Sequence, residues 1–149
     1  MEWLLILSAI CSLVFVVVLG GQGDAERKLP DYLEILGKAE YLDDSAVGYA
    51  AKRSETYQAF EKALAAGESI YLDLDWLRQH ASPAGRIYAA ILINQLNKED
   101  GRKAYQELQK DTAMVDYRSG SLVESRIVGE IAEDLLRGET IIIFNLPKQ

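Results

Sequence analysis

From Trp3 to Leu19 the chain runs for seventeen residues without a charged side chain, WLLILSAICSLVFVVVL. As a helix rising about 1.5 Å per residue, such a run spans roughly 25 Å. A bilayer hydrocarbon core is about 30 Å thick, and Gly20 and Gly21 can extend the span. A helix of a soluble domain needs one apolar stripe, not apolar surface on every side. Residues 1–21 therefore read as a membrane segment.

Two uses of such a segment compete. A secretory signal peptide carries a basic start and an apolar stretch of about 7–15 residues. Here only Met-Glu precedes the run, with no Lys or Arg, and the stretch is longer. The expectation is an uncleaved single-pass anchor that meets lipid through residues 3–19. The alternative is a signal segment cut after Gly20 or Gly21, with the remainder exported. Arg27, Lys28 and Lys38 lie on the C-terminal side, and the positive-inside rule tends to hold that side in the cytoplasm. Export overrides this weak bias, so the membrane side of the domain stays open. Cys11 lies inside the run after Ser8-Ala9-Ile10, without the small residue that a lipoprotein signal places just before its cysteine.

Residues 22–28 form a polar hinge, and residues 29–149 are long enough for one compact domain. The net charge of the chain is −7. Arg27 and Lys28 against Glu2, Asp24 and Glu26 leave −6 of it on residues 29–149. Phosphate backbones are bound by Lys/Arg neutralisation and counterion release, so this domain is not a nucleic-acid binder. With no cysteine beyond Cys11 it has neither a disulfide nor a cysteine zinc site.

Apolar spacing organises the domain as mostly helical. Pro30 suits a first helical turn, and Tyr32, Ile35, Leu36 and Ala39 predict a helix over 31–42. Asp43-Asp44-Ser45 reads as a cap cluster. The stripe Ala46, Ala50, Tyr57, Phe60, Leu64 follows, broken near Arg53-Ser54 and stopped by Gly67. Ser82-Pro83 is the clearest helix start. Behind it Ile87 to Ile93 is apolar all round, which predicts a central buried helix ending near Leu96. A turn over 97–101 and a helix over 102–110 come next, with Ala104, Tyr105 and Leu108 inward. Ser125 is expected to cap a last helix with stripe Ile127, Val128, Ile131 and Leu135, stopped by Gly138.

Three segments carry strand character. Ile70, Leu72, Leu74 and Trp76 alternate with polar residues, so 69–76 predicts a short strand or an entry into a brief helix. Residues 114–117 read as extended, followed by a turn at Arg118-Ser119-Gly120-Ser121. The β-branched run 140–144 reads as a strand, or else as an extended tail against the helices. The fold class is mainly α, or α+β if segments 70–74, 114–117 and 140–144 pair into a sheet.

Helix 83–96, a turn and helix 102–110, with Arg86, Ala89-Ala90 and Leu96, resemble one HEAT-like helical pair. The run Ser-Pro-Ala-Gly-Arg-Ile-Tyr-Ala-Ala at 82–90 resembles a segment of small membrane-anchored or exported bacterial proteins. That resemblance implies no activity, no cofactor and no catalytic residue.

Catalytic motifs are weak. His80 is the sole histidine, with Asp73, Asp75 and Ser82 nearby in sequence. A triad needs such groups to converge around an oxyanion hole, and Ser82 is accounted for as a helix cap. Asp73-Leu74-Asp75 resembles the Asp-x-Asp of haloacid-dehalogenase-type phosphotransferases, but Leu77 stands where that family has Thr or Val. Asp43-Asp44 has no calcium-loop pattern around it. No phosphate-cradling glycine motif is present. The best binding candidate is the loop Arg118, Ser119, Gly120, Ser121, since loops on rigid scaffolds often carry binding.

These residues point to a membrane-tethered, non-catalytic domain that binds another protein or supports a complex, with no cofactor and no metal. The alternative is a small enzyme or ligand-binding domain whose site assembles only in three dimensions.

Overall fold

The computed structural model describes residues 27–143. The segment 1–21 read as an anchor or signal, most of the hinge, and Phe144 onward lie outside them. Within them, no helix is long and apolar enough to cross a membrane.

The chain runs α1 (Asp31–Gly37), β1 (Tyr41–Val47), α2 (Glu55–Ala66), a 3-10 turn (Gly67–Ile70), α3 (Tyr71–His80), α4 (Pro83–Leu96), α5 (Lys98–Leu108), β2 (Met114–Gly120), β3 (Leu122–Ile127) and α6 (Val128–Leu136). The architecture is mainly helical with one three-stranded sheet of order β1-β2-β3. β1 runs parallel to β2, so α2 to α5 form the crossover between them, and β2 and β3 are an antiparallel hairpin.

The centre is α4. Ser82 takes its N-cap, its Oγ accepting from the Gly85 N–H at 3.1 Å and donating to the Ala39 carbonyl at 2.6 Å. Pro83 occupies the first turn, where its missing N–H costs nothing. Every residue from Ile87 to Ile93 is buried, as expected for a helix apolar all round. Neighbours pack on several sides: α3 and α5 flank it, and α1, α6 and the sheet reach it as well. Asn97 ends α4 and caps α5, its Oδ1 accepting from the Glu99 and Asp100 N–H groups. Helix α5 thus starts four residues earlier than the apolar stripe implied, and the 97–101 turn shrinks to one residue. Gly101 permits this, because a Cβ there would sit 2.3 Å from the Asn94 Cα.

Several expectations are corrected. The helix predicted over 31–42 stops at Gly37, and the chain then turns into β1. Asp43-Asp44-Ser45 caps nothing and lies inside that strand. The cap of α2 is Ser54, which accepts from the Tyr57 N–H at 3.0 Å. The segment 69–76 is helical, because Ile70, Leu74 and Leu77 bury at i, i+4 and i+7 while Leu72 of the alternating set stays 73% exposed. Ser125 lies in β3, and α6 begins at Val128 with no side-chain cap. Residues 140–143 form no strand, so the predicted sheet of 70–74, 114–117 and 140–144 is replaced by β1, β2 and β3. The extended-tail alternative describes 140–143 better: Ile142 is buried and Ile143 is held by side chains. Gly67 and Gly138 stop their helices at positive φ, as read.

Candidate functional site

The four residues singled out as a loop turn out to be the tip of the β2–β3 hairpin. Arg118 and Ser119 belong to β2, and Ser119 pairs with Leu122 across a two-residue turn, Gly120-Ser121. Gly120 at φ 55 is the first central residue, the left-handed position that a type II′ hairpin turn gives to glycine.

Arg118 is already engaged by a carboxylate. Its Nε and an Nη donate to the two carboxylate oxygens of Asp43 at 2.6 and 2.8 Å, a bidentate pair. Asp43 is fully buried, while the Arg118 side chain is 30% exposed and lies with its Cζ 3.8 Å from the Tyr41 ring centroid. The carboxylate holds the guanidinium proton tightly, raising Arg118 further above its ordinary range.

Asp44 takes the neighbouring position and faces the other way. Its Oδ1 accepts from the Ser45 N–H at 2.7 Å and from the Ile143 N–H at 2.9 Å. Its Oδ2 accepts from the Ser119 hydroxyl at 3.1 Å. The Ile143 carbonyl accepts from Tyr57 at 2.8 Å. Behind both aspartates, the Tyr88 hydroxyl of α4 accepts from the Asp43 N–H at 2.7 Å. Burial pushes the Tyr88 phenol far up, and burial with the Asp44 charge pushes Tyr117 up as well. Every carboxylate oxygen of this acidic pair has a protein donor. The cluster ties the hairpin, the tail and α4 to β1.

The remaining sequence candidates do not converge. Asp73 pairs with Arg27 at 2.7 Å, and Asp75 with Arg78 at 2.7 Å. His80 is exposed, stacks on Trp76 at 4.5 Å and bonds the Trp76 carbonyl through Nδ1. Asp73 and His80 are seven residues apart on α3, about 10 Å along its axis. Arg86 holds Asp111 at 2.7 Å, and its buried Nε has no partner among the described residues. Both it and Arg78, which also pairs with Glu107, line a cleft of about 200 Å³. Asp111 and Glu107 already hold these two arginines there, and of their buried nitrogens only the Arg86 Nε lacks a partner among the described residues. Two further clefts beside α5 hold about 260 and 190 Å³. All three fall below the roughly 300–1,000 Å³ of small-molecule sites, and His80, Asp73 and Arg118 line none of them. Among the described residues, no group of three His, Cys, Asp or Glu side chains is placed to hold a metal ion.

The two edges of the sheet differ. β1's outer edge is covered: Tyr88 bonds the Asp43 main chain, and Val47 exchanges two hydrogen bonds with Lys52. β3's outer edge carries no backbone hydrogen bond among the described residues. Around it Leu122, Val123 and Met114 are 56%, 58% and 56% exposed. Sequence reading missed both the acidic pair and this edge. No local signal marks the pair: Ala46, Val47 and Gly48 stand three residues after Asp43, Asp44 and Ser45, but the caps of α2, α4 and α5 lack a capping-box Glu or Gln as well.

No family model, no curated protein and no solved structure matches this chain.

Proposed function

We propose that this chain is a membrane-tethered, non-catalytic module that binds a polypeptide strand along the open edge of β3. The observation that carries the reading is the contrast between the two sheet edges. Natural proteins blunt exposed edge strands, because unpaired N–H and C=O groups invite another chain. β1 is blunted by Tyr88 and Lys52, whereas β3 has no backbone hydrogen bond on its outer side among the described residues and carries the exposed Leu122 and Val123, with the exposed Met114 opposite Ile127 on β2. Strand addition to such an edge combines main-chain hydrogen bonds with side-chain contacts at alternate positions. The satisfied acidic cluster supports a structural role for Arg118 and Ser119, which fix the hairpin that presents the edge. The uncharged run 3–19 supplies the tether, and the α4–α5 pair that resembles a HEAT unit supplies a rigid backing.

The test is affinity capture from membranes with tagged full-length protein against its Val123→Lys variant. Capture of a specific polypeptide, lost in Val123→Lys with the circular dichroism unchanged, supports the reading. Capture that survives this substitution, together with a Leu122→Lys substitution, sinks it.

A further inference from the structure

Docking on the β3 edge, if that reading holds, still requires a partner chemistry, and the strand itself specifies one. β3 reads Leu122-Val123-Glu124-Ser125-Arg126-Ile127. Around Ser125 the order is apolar, acid, polar, base, apolar. We infer that the strand seated on this edge is β3 of a second copy of the same chain, antiparallel, with the two-fold axis through Ser125.

The register follows from symmetry and charge. A two-fold axis normal to the sheet places some residue opposite its own counterpart, since directly opposed residues share a face. An axis at Glu124 opposes two carboxylates, and an axis at Arg126 opposes two guanidinium groups. The axis at Ser125 sets Glu124 against the second copy's Arg126 on one face, twice. On the other face it sets Val123 against the second copy's Ile127. Ile127 already lies opposite Met114 within the hairpin. The exposed Val123 and Met114 would then join one apolar row across β2, β3 and the second β3. Glu124 lies two positions from Arg126 on its own strand and its charge helps to hold the Arg126 proton, but it makes no close ion pair among the described residues. Arg126 holds Asp134 through one nitrogen, which leaves other guanidinium N–H groups for a second carboxylate. The result is a continuous six-stranded sheet with both helical layers on one side. Tethering through residues 3–19 would confine the copies to a plane, raising their effective concentration.

The experiment uses the full-length chain in detergent and in vesicles, with sedimentation and mild oxidation as readouts. Wild type is expected to be a dimer. Glu124→Arg and Arg126→Glu each turn two attractions into two repulsions, so each alone should dimerise about tenfold more weakly or worse. Mixed together they should recover pairing as a heterodimer, because one strand then carries two bases and the other two acids. In a Cys11→Ser background, Ser125→Cys should be trapped as a covalent dimer and Val123→Cys should not, since the latter lies four positions from its counterpart. A monomer that still captures another polypeptide through the β3 edge overturns this inference and leaves the docking reading standing. A monomer that captures nothing overturns both. A dimer indifferent to the charge variants, or trapped through Val123→Cys rather than Ser125→Cys, overturns the register and with it the inference.

Discussion

Arg118 and Asp43 lie 75 positions apart in the chain and meet as a bidentate pair on adjacent parallel strands. The carboxylate is fully buried, and the guanidinium is its lid. Removing one partner of a buried pair costs far more than the pair contributes, because a charge stays behind unpaired. Arg118→Ala should destabilise by about 3 kcal/mol, toward the lower end of the range because water reaches the Arg118 side of the pair. Arg118→Lys should recover only part of this, since an ammonium cannot make the two parallel bonds. Urea unfolding of the two variants checks both statements.

Tyr88 sits on the other side of the same strand, and its phenol is held well above its ordinary value of 10 by burial. Tyr105 is raised by burial as well. A raised folded pKa means that the folded state keeps its proton longer than the unfolded one. The stabilisation is therefore fully present below about pH 10 and is lost as pH climbs above it. Alkaline unfolding should begin above that point, and the phenolate absorbance of these tyrosines should rise together with the loss of circular dichroism. Tyr88→Phe should cost about 1–3 kcal/mol near neutral pH by orphaning the buried Asp43 N–H. Ionisation of all tyrosines before any unfolding would contradict the burial argument.

Local chemistry made some elements readable. Ser82-Pro83 starts α4 by cap and fixed φ, and Gly138 stops α6 at φ 85, both through local sequence, while residues 114–117 are extended as part of the central strand β2. β1 was unreadable because two of its buried side chains are aspartates, one paired with Arg118 and the other hydrogen-bonded by Ser119 and the Ile143 N–H, all from distant sequence. Strand pattern recognises apolar alternation, and a buried carboxylate breaks it. α3 misled in the opposite sense: Leu72 completes a period-two run by chance and faces solvent. The tail 140–143 has strand composition, yet Ile143 gives its N–H to Asp44 and its carbonyl to Tyr57, so side chains replace the ladder. At the candidate site the residue Arg118 was legible and its partner was not. The hairpin edge was not legible either, because openness of an edge depends on which strand lies where.

Ile91 tests the centre of the fold. It lies in the middle of α4 and is 3% exposed. Truncation to alanine removes buried methylenes and leaves a cavity that rigid neighbours fill only in part. Ile91→Ala should destabilise by about 2–5 kcal/mol. An unfolding midpoint that scarcely moves would mean that α4 is not the packed centre.

The run from Trp3 to Leu19 makes a separate prediction. Full-length protein should sediment with membranes and resist carbonate extraction, because seventeen uncharged residues are costly to leave in water. Intact mass distinguishes an anchor from a signal. A soluble mature chain that begins near Gln22 would replace the tether with export.

The last prediction concerns His80, the residue through which acid–base catalysis near neutral pH would most readily run. Its Nδ1 is committed to the Trp76 carbonyl at 2.9 Å, and its ring stacks on the indole. The nearby hydroxyl, Ser82, donates to Ala39 and accepts from Gly85, so it has no lone proton to surrender. The sequence-near carboxylates, Asp73 and Asp75, are held by Arg27 and Arg78. A nucleophile, a base and an orienting acid within hydrogen-bond reach are what a triad requires, and these four side chains are each tied to something else. His80→Gln should therefore shift stability by no more than about 0.5 kcal/mol, as for an ordinary surface site. It should leave both dimerisation and capture at the β3 edge unchanged. If a hydrolase or transferase screen finds turnover that His80→Gln abolishes while circular dichroism stays native, a catalytic function takes precedence over docking.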